Sequence, residues 1–192
     1  IFYVKNLENK IIDFLNALYE IDINHNNFFT FTGTNGKTSA AYLCHQLLTS
    51  MEYDSLYVGT MGIQYKNNKF NTSFSSKTTP DIFELFEIID SFNFGLDSIS
   101  VCIEISSHAL DQKRLSNIYW FNSASILNIS NDHLDYHENI SSYIDTKFDI
   151  FKINSSLKLI NDDSNKLKNH NYDVRCISNK NNFSDIFYEI KE

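Results

Sequence analysis

The chain has 192 residues, of which 42% are hydrophobic and 15% aromatic, enough apolar material for one substantial core with an appendage. Charged residues make up 21% and the formal net charge is −8, which argues against a broad basic face for a nucleic-acid backbone. A phosphate group needs only a few local donors and is not excluded, whereas the lack of any run of about 18 uninterrupted apolar residues leaves no membrane-spanning helix to expect.

The first residue is Ile1 and no basic, apolar leader follows it, so the chain reads as a piece of a longer cytoplasmic protein, expected to act as a monomer. Cys44, Cys102 and Cys176 are odd in number and far apart, the pattern of reduced thiols rather than of a disulfide or zinc site. One proline and five glycines occur in the whole chain, so the positions they occupy carry more information than usual.

Leu7, Ile11, Phe14, Leu15 and Leu18 recur at helical spacing and predict a helix over residues 7–19. Asn24-His25-Asn26-Asn27 reads as a linker. It sets the end of a preceding domain at residues 1–27 and a central domain, running on past Glu192, at 28–192. Phe28-Phe29-Thr30-Phe31 is a short β-favouring run that ends at Gly33, and a helical pattern from Lys37 to about residue 51 carries Leu43, Leu47 and Leu48 on one face. A second strand is expected over residues 55–60 and a surface hairpin over 63–70. Thr78-Thr79-Pro80-Asp81 has the form of a helix start, with a hydroxyl cap, an early proline and an acid in the first turn. Its helix should run to about Phe92 and bury Ile82, Leu85, Phe86 and Ile89. Apolar strands follow at residues 98–105 and 123–129, then a helix at 140–151 and a strand at 157–160. Strands that alternate with helices and are apolar on both faces predict an α/β fold, a mostly parallel sheet flanked by helices.

Thr32-Gly33-Thr34-Asn35-Gly36-Lys37-Thr38 lies between a predicted strand and a predicted helix, the context a phosphate loop requires. Glycines let the backbone wrap an anion with its N–H groups inward, Lys37 would reach the β- and γ-phosphates, and the Thr38 hydroxyl would bind Mg²⁺. The general spacing wants glycine at position 31, where this chain has Phe31; outside its context the segment is a glycine-containing helix cap.

Glu104 interrupts an apolar strand near its carboxyl end, where side chains face the ligand crevice of a parallel sheet and an oxygen ligand for Mg²⁺ is needed; otherwise it is a strand-end charge in solvent. Ser106 and His108, taken alone, are helix-capping residues, while the planar fork of Arg114 suits a carboxylate. Asn131-Asp132-His133-Leu134-Asp135-Tyr136-His137 is either a metal site or a polar turn. Lys147, flanked by Asp145 and Asp149, reads locally as an exposed, charged helical lysine.

In this order the motifs resemble the Mur ligases, the ATP-dependent amide ligases of peptidoglycan precursors related to folylpolyglutamate synthase, and among them the tripeptide-forming branch. The resemblance covers residues 28 to about 152. It implies a central domain of the phosphate-loop NTPase type that binds ATP through Gly33, Thr34, Asn35, Gly36, Lys37 and Thr38. It also implies Mg²⁺ on Thr38 and Glu104, a second Mg²⁺ on His133, and carbamylation of Lys147 by CO₂, which exchanges a cation for a metal-binding anion. A histidine ligand is not what magnesium chemistry alone suggests and rests on the resemblance. Thr78 and Thr79 would contact UDP-MurNAc-dipeptide, Ser106 and Arg114 would hold its peptide end, and Lys37, His133 and Lys147 would be catalytic.

The implied reaction phosphorylates the D-Glu side-chain carboxylate of UDP-MurNAc-L-Ala-D-Glu and lets a diamino acid, meso-diaminopimelate or lysine, attack the acyl phosphate. The alternatives are another ligase of the superfamily, such as folylpolyglutamate synthase, and a phosphate-loop module that binds nucleotide without ligation. The Thr-Thr-Pro and Ser-Ser-His…Arg elements speak against the former. No element for the amine acceptor is recognisable, so residues 1–192 alone are not expected to form the amide.

Overall fold

The computed structural model describes residues 7–70, 77–92, 95, 97–130, 139–161, 171–180 and 184–188. In chain order these form α1 (Leu7–Tyr19), β1 (Asn27–Thr32), α2 (Lys37–Ser50), β2 (Ser55–Gly59), β3 (Gly62–Tyr65), β4 (Asn68–Phe70) and α3 (Ile82–Phe92). Then come β5 (Ser100–Glu104), α4 (Ser107–Asp111), β6 (Trp120–Ile126), α5 (Ile140–Phe148), β7 (Asn154–Asn161), β8 (Arg175–Ser178) and β9 (Ile186–Phe187). The strands make one sheet in the order β4-β3-β2-β5-β1-β6-β7-β8-β9. Only the β2–β3 and β3–β4 pairings are antiparallel; the other six are parallel. The expected mostly parallel α/β sheet is therefore present, with the hairpin extending one edge.

β1 lies between β5 and β6, with Phe31 opposite Glu104 and Thr32 opposite Ile126. From β1 the chain moves first to β2 on one side and later to β6 on the other, which makes the carboxyl end of β1 a topological switch point with a crevice beside it. Every residue of β2 and of β5 is buried, as two-sided coverage demands.

α3 buries Ile82, Leu85, Phe86, Ile88, Ile89 and Phe92, and α1 contributes Ile11, Ile12 and Leu15 to the same core. The Tyr19 and Phe86 rings meet at 5.7 Å. Burying a side chain such as Phe86 contributes roughly 1.5–3 kcal/mol relative to leaving it in water.

Several expectations need correction. The cap of α3 is a reciprocal Asp81–Glu84 box, in which Asp81 Oδ1 accepts from the Glu84 N–H and the Glu84 carboxylate accepts from the Asp81 N–H, both at 3.0 Å. The threonine hydroxyls are not its cap. On α2, Leu43 and Leu47 are 66% and 60% exposed, while Ala41 and His45 are the buried residues. The sheet-facing side of α2 is held by His45, whose Nδ1 meets Ser55 Oγ at 2.8 Å and whose Nε2 meets the Lys66 carbonyl at 3.0 Å. The asparagine-rich stretch is a 3-10 turn, Ile23–His25, capped by Asp22, and Asn27 already belongs to β1.

β6 ends at Ile126 rather than 129, because the backbone from Leu127 onward turns to bond the phosphate loop. The final helix stops at Phe148 and gives way to a 3-10 turn over Asp149–Lys152. β7 is longer than expected, and the short, partly exposed β8 and β9 had no clear periodic signal. The three cysteines are free thiols. Among the described residues no helix is long and apolar enough to cross a membrane.

Candidate active site

The segment after β1 turns from strand to helix, and Gly36 is the N-cap of α2. Gly33 has φ 152°, and a Cβ there would lie 3.2 Å from the Asn128 backbone N and O, so the close approach of the two loops requires glycine. Asn128 clasps the loop: its Oδ1 accepts from the Asn35 N–H and its Nδ2 donates to the Asn35 carbonyl, both at 2.9 Å. Its own carbonyl accepts from the Thr34 N–H at 3.0 Å. Sequence reasoning missed Asn128; the available signal was a lone amide straight after an apolar strand that neighbours β1. The Lys37 ammonium donates to the Gly33 and Thr34 carbonyls, each at 2.9 Å, and thus bridges the loop from the first turn of α2.

Glu104 is fully buried beneath the crevice and accepts four hydrogen bonds. Oε1 accepts from the Tyr57 hydroxyl at 2.5 Å and the Thr60 N–H at 2.8 Å. Oε2 accepts from the Thr38 hydroxyl at 2.8 Å and the Thr60 hydroxyl at 3.1 Å. Such a donor set complements an anion and joins the phosphate loop to the end of β5. Thr79 is buried; its hydroxyl donates to the Glu104 carbonyl at 2.8 Å and accepts from the Ser106 N–H at 3.0 Å. It pins the Thr-Thr-Pro segment to β5, leaving Thr78 to line the cleft. Arg114 Nη1 donates to the Thr79 carbonyl at 2.6 Å and Nε to Gln112 Oε1 at 2.9 Å. Ser106 is the N-cap of α4, accepting from the Ala109 N–H at 3.2 Å.

Lys147 is 1% exposed, against the local reading of an exposed lysine. α5 turns Tyr143, Thr146, Lys147 and Phe148 inward, Asp145 is exposed, and Asp149 pairs with Lys152 at 2.6 Å. Lys147 Nζ donates to Thr32 Oγ1 at 3.2 Å and to the Gly33 carbonyl at 3.0 Å, and sits 5.0 Å from the Tyr143 ring centroid.

A cleft of about 520 Å³ is lined by Thr34, Asn35, Gly36, Lys37, Thr38, Thr78, Glu104, Ser106, Arg114 and Lys147, all anticipated from sequence, together with Thr60, Lys77, Ser107 and His108. Gly33 and Thr79 support this lining from behind. His133, with Asp135 and His137, lies outside the described residues. Lys37, Lys77, Arg114 and Lys147 line the cleft beside the carboxylate of Glu104, and with Lys77 paired to Glu84 at 3.8 Å they still leave a local excess of positive charge, in a chain of net charge −8, that favours an anionic ligand. Among the described residues no three His, Cys, Asp or Glu side chains group as a metal site. The hard oxygens of Thr38 and Glu104 suit Mg²⁺ shared with a nucleotide, since that ion keeps waters and phosphate oxygens beside one or two protein ligands.

A glycine loop between a central parallel strand and a helix N-terminus, with a carboxylate at the end of the neighbouring strand, defines an α/β domain of the phosphate-loop type. More narrowly, the chain belongs to the family of the Mur ligase middle domain, whose model matches residues 31–191. It is 38% identical over 138 residues to a UDP-N-acetylmuramoyl-L-alanyl-D-glutamate–2,6-diaminopimelate ligase of Wolinella succinogenes, covering 71% of this chain and 30% of that protein. It is 37% identical over 145 residues to UDP-N-acetylmuramyl-tripeptide synthetase 2 of Oceanobacillus iheyensis, covering 74% and 28% respectively. The chain thus spans about 30% of the length of these curated relatives. A solved UDP-N-acetylmuramoyl-L-alanyl-D-glutamate–2,6-diaminopimelate ligase superposes with a TM-score of 0.75 at 24% identity, over 96% of this chain and 39% of that one. MurF ligase from Thermotoga maritima in complex with ADP superposes with a TM-score of 0.61 at 17% identity, over 94% and 39%. These two likenesses bear on the fold.

Proposed function

We propose that this chain is the ATP-binding central part of an acid–amino-acid ligase of peptidoglycan synthesis that joins a diamino acid to UDP-MurNAc-L-Ala-D-Glu. The relatives named above are, by name, 2,6-diaminopimelate ligases and tripeptide synthetases. The observation that carries the reading is the Thr38–Glu104 hydrogen bond, which closes the phosphate loop onto a carboxylate in the cleft that also takes Ser106, Arg114 and Lys147.

In this reading the N–H groups of the first turn of α2 and the Lys37 side chain bind the ATP phosphates, and Arg114 with Ser106 and Thr78 orients the acceptor carboxylate towards the γ-phosphorus. Thr38, Glu104 and His133 are the residues to hold Mg²⁺, and Lys147 after carbamylation by CO₂; bound there, magnesium neutralises charge on the transferring phosphoryl group. Phosphoryl transfer to the carboxylate releases ADP. The diamino acid's amine then attacks the acyl carbon, loses a proton and expels phosphate, leaving the amide. The position of Lys147 on the cleft wall beside the phosphate loop supports the carbamate, for which the ammonium must leave the Thr32 and Gly33 oxygens and lose a proton before the neutral amine attacks CO₂.

The proposal includes a central domain over residues 28–192 that continues further, residues 1–27 leading in from a preceding domain, and a monomer working in the cytoplasm. It is tested by following ADP release from the full-length protein. A ligase releases ADP only when the dipeptide substrate is present, and sustains that release over many turnovers only when a diamino acid is present too. Release on ATP alone, unaffected by either, would make the chain a nucleotide-hydrolysing module.

A further inference from the structure

Tyr57 lies in the middle of β2, fully buried, at the position paired with Cys102 of β5. A tyrosine in a core strand must find a partner for its hydroxyl, and this one finds the site. From Cys102 the next residue on the same face of β5 is Glu104, and the Tyr57 side chain runs alongside to donate its proton to Glu104 Oε1 at 2.5 Å. The phenol oxygen in turn accepts from the Met61 N–H at 3.3 Å. Its ring is wedged by Tyr42, edge-on at 5.8 Å, and by His45 at 6.3 Å, so the hydroxyl has little freedom to leave. Gly59 makes the contact possible: a Cβ there would lie 2.1 Å from Glu104 Oε1 and 2.6 Å from the Tyr57 oxygen.

The two carboxylate oxygens consequently differ. Oε1 is held by the Tyr57 hydroxyl and the fixed Thr60 N–H, whereas Oε2 meets only the hydroxyls of Thr38 and Thr60, which can rotate. We propose that Tyr57 is a positioning residue that locks one oxygen of Glu104 so that the other is presented, beside the Thr38 hydroxyl, to a divalent cation accompanying the nucleotide. The inference rests on the nucleotide–metal reading of the cleft. A terminal carboxylate torsion is otherwise broad, and its restriction must be achieved by donors on one oxygen.

The test compares wild type with Tyr57→Phe in the full-length protein, measuring Mn²⁺ affinity by electron paramagnetic resonance with a non-hydrolysable ATP analogue present, and analogue affinity without metal. The ring is kept, so packing is conserved. The variant should bind Mn²⁺ about tenfold more weakly, matching the loss of one charge-assisted hydrogen bond, while metal-free nucleotide affinity stays within about twofold. Activity lost at limiting Mg²⁺ should return at saturating Mg²⁺. Equal Mn²⁺ affinity in the two proteins overturns the proposal. Parallel loss of metal-free and metal-dependent binding, with a lowered melting temperature, makes Tyr57 a packing residue and overturns it too. A wild type that binds nucleotide with no dependence on metal overturns the nucleotide–metal reading and this inference together.

Discussion

Glu104→Gln separates the role of a carboxylate from that of the space it fills. The Thr60 N–H can only donate, so the amide carbonyl must take the Oε1 place, where the Tyr57 hydroxyl also reaches it. The amide NH₂ then occupies the Oε2 place and faces the Thr38 and Thr60 hydroxyls, which rotate to accept. All four contacts survive without charge assistance, a loss of about 1 kcal/mol each that the lower desolvation cost of a neutral amide largely offsets. Stability should therefore change by less than about 2 kcal/mol in urea unfolding. Function should not survive so well: an NH₂ beside Thr38 cannot ligate a cation, and turnover should fall by at least about a hundredfold, or roughly 3 kcal/mol in the barrier. The assay is kcat and kcat/KM of the full-length protein across a Mg²⁺ titration. Unaltered turnover with an unaltered Mg²⁺ dependence would remove Glu104 from the metal site, and a loss of stability beyond about 4 kcal/mol would refute the rotation argument.

Lys37→Ala should weaken nucleotide binding or phosphoryl transfer by about 2–4 kcal/mol, read by calorimetry with a non-hydrolysable ATP analogue and by turnover; no change in either takes Lys37 out of the site. Lys147→Ala should lose most activity, and acetate or another short carboxylate should restore part of it by replacing the carbamate anion. Full activity in the variant contradicts the assignment, and loss without rescue leaves Lys147 a structural cation behind the loop. Burial depresses the His45 pKa, outweighing the Lys66 carbonyl that raises it. Above the unfolded pKa of about 6.5 both states are neutral at this residue; as pH falls through and below it the unfolded chain takes up a proton that the folded chain resists, so stability drops until the folded pKa is passed. Urea melts between pH 7 and 5 should show this decline, and His45→Gln should flatten it; identical slopes would exclude His45 as the source.

The phosphate loop was legible because its chemistry is contiguous: strand, glycines, lysine and threonine follow one another, although its clasp, Asn128, comes from 93 residues away. Glu104 was legible because a single carboxylate in an apolar strand has few reasons to be there. Other features depend on what an element packs against. Leu43 and Leu47 are the larger apolar residues of α2, yet the small Ala41 and the hydrogen-bonded His45 take the sheet side. Asp145 and Asp149 suggest a solvated Lys147 until α5 packs against α4 and sends the Lys147 side chain to the end of β1, leaving one aspartate in solvent and the other paired with Lys152. Tyr57 reads as ordinary core in β2, and only the pairing of β2 with β5 brings its hydroxyl to Glu104. By itself, then, the sequence determined the α/β class, the loop and the carboxylate, since each is encoded by neighbours along the chain. The tertiary structure decided which faces are buried and which groups hold the site residues in place, because those contacts join positions 47 to 115 residues apart.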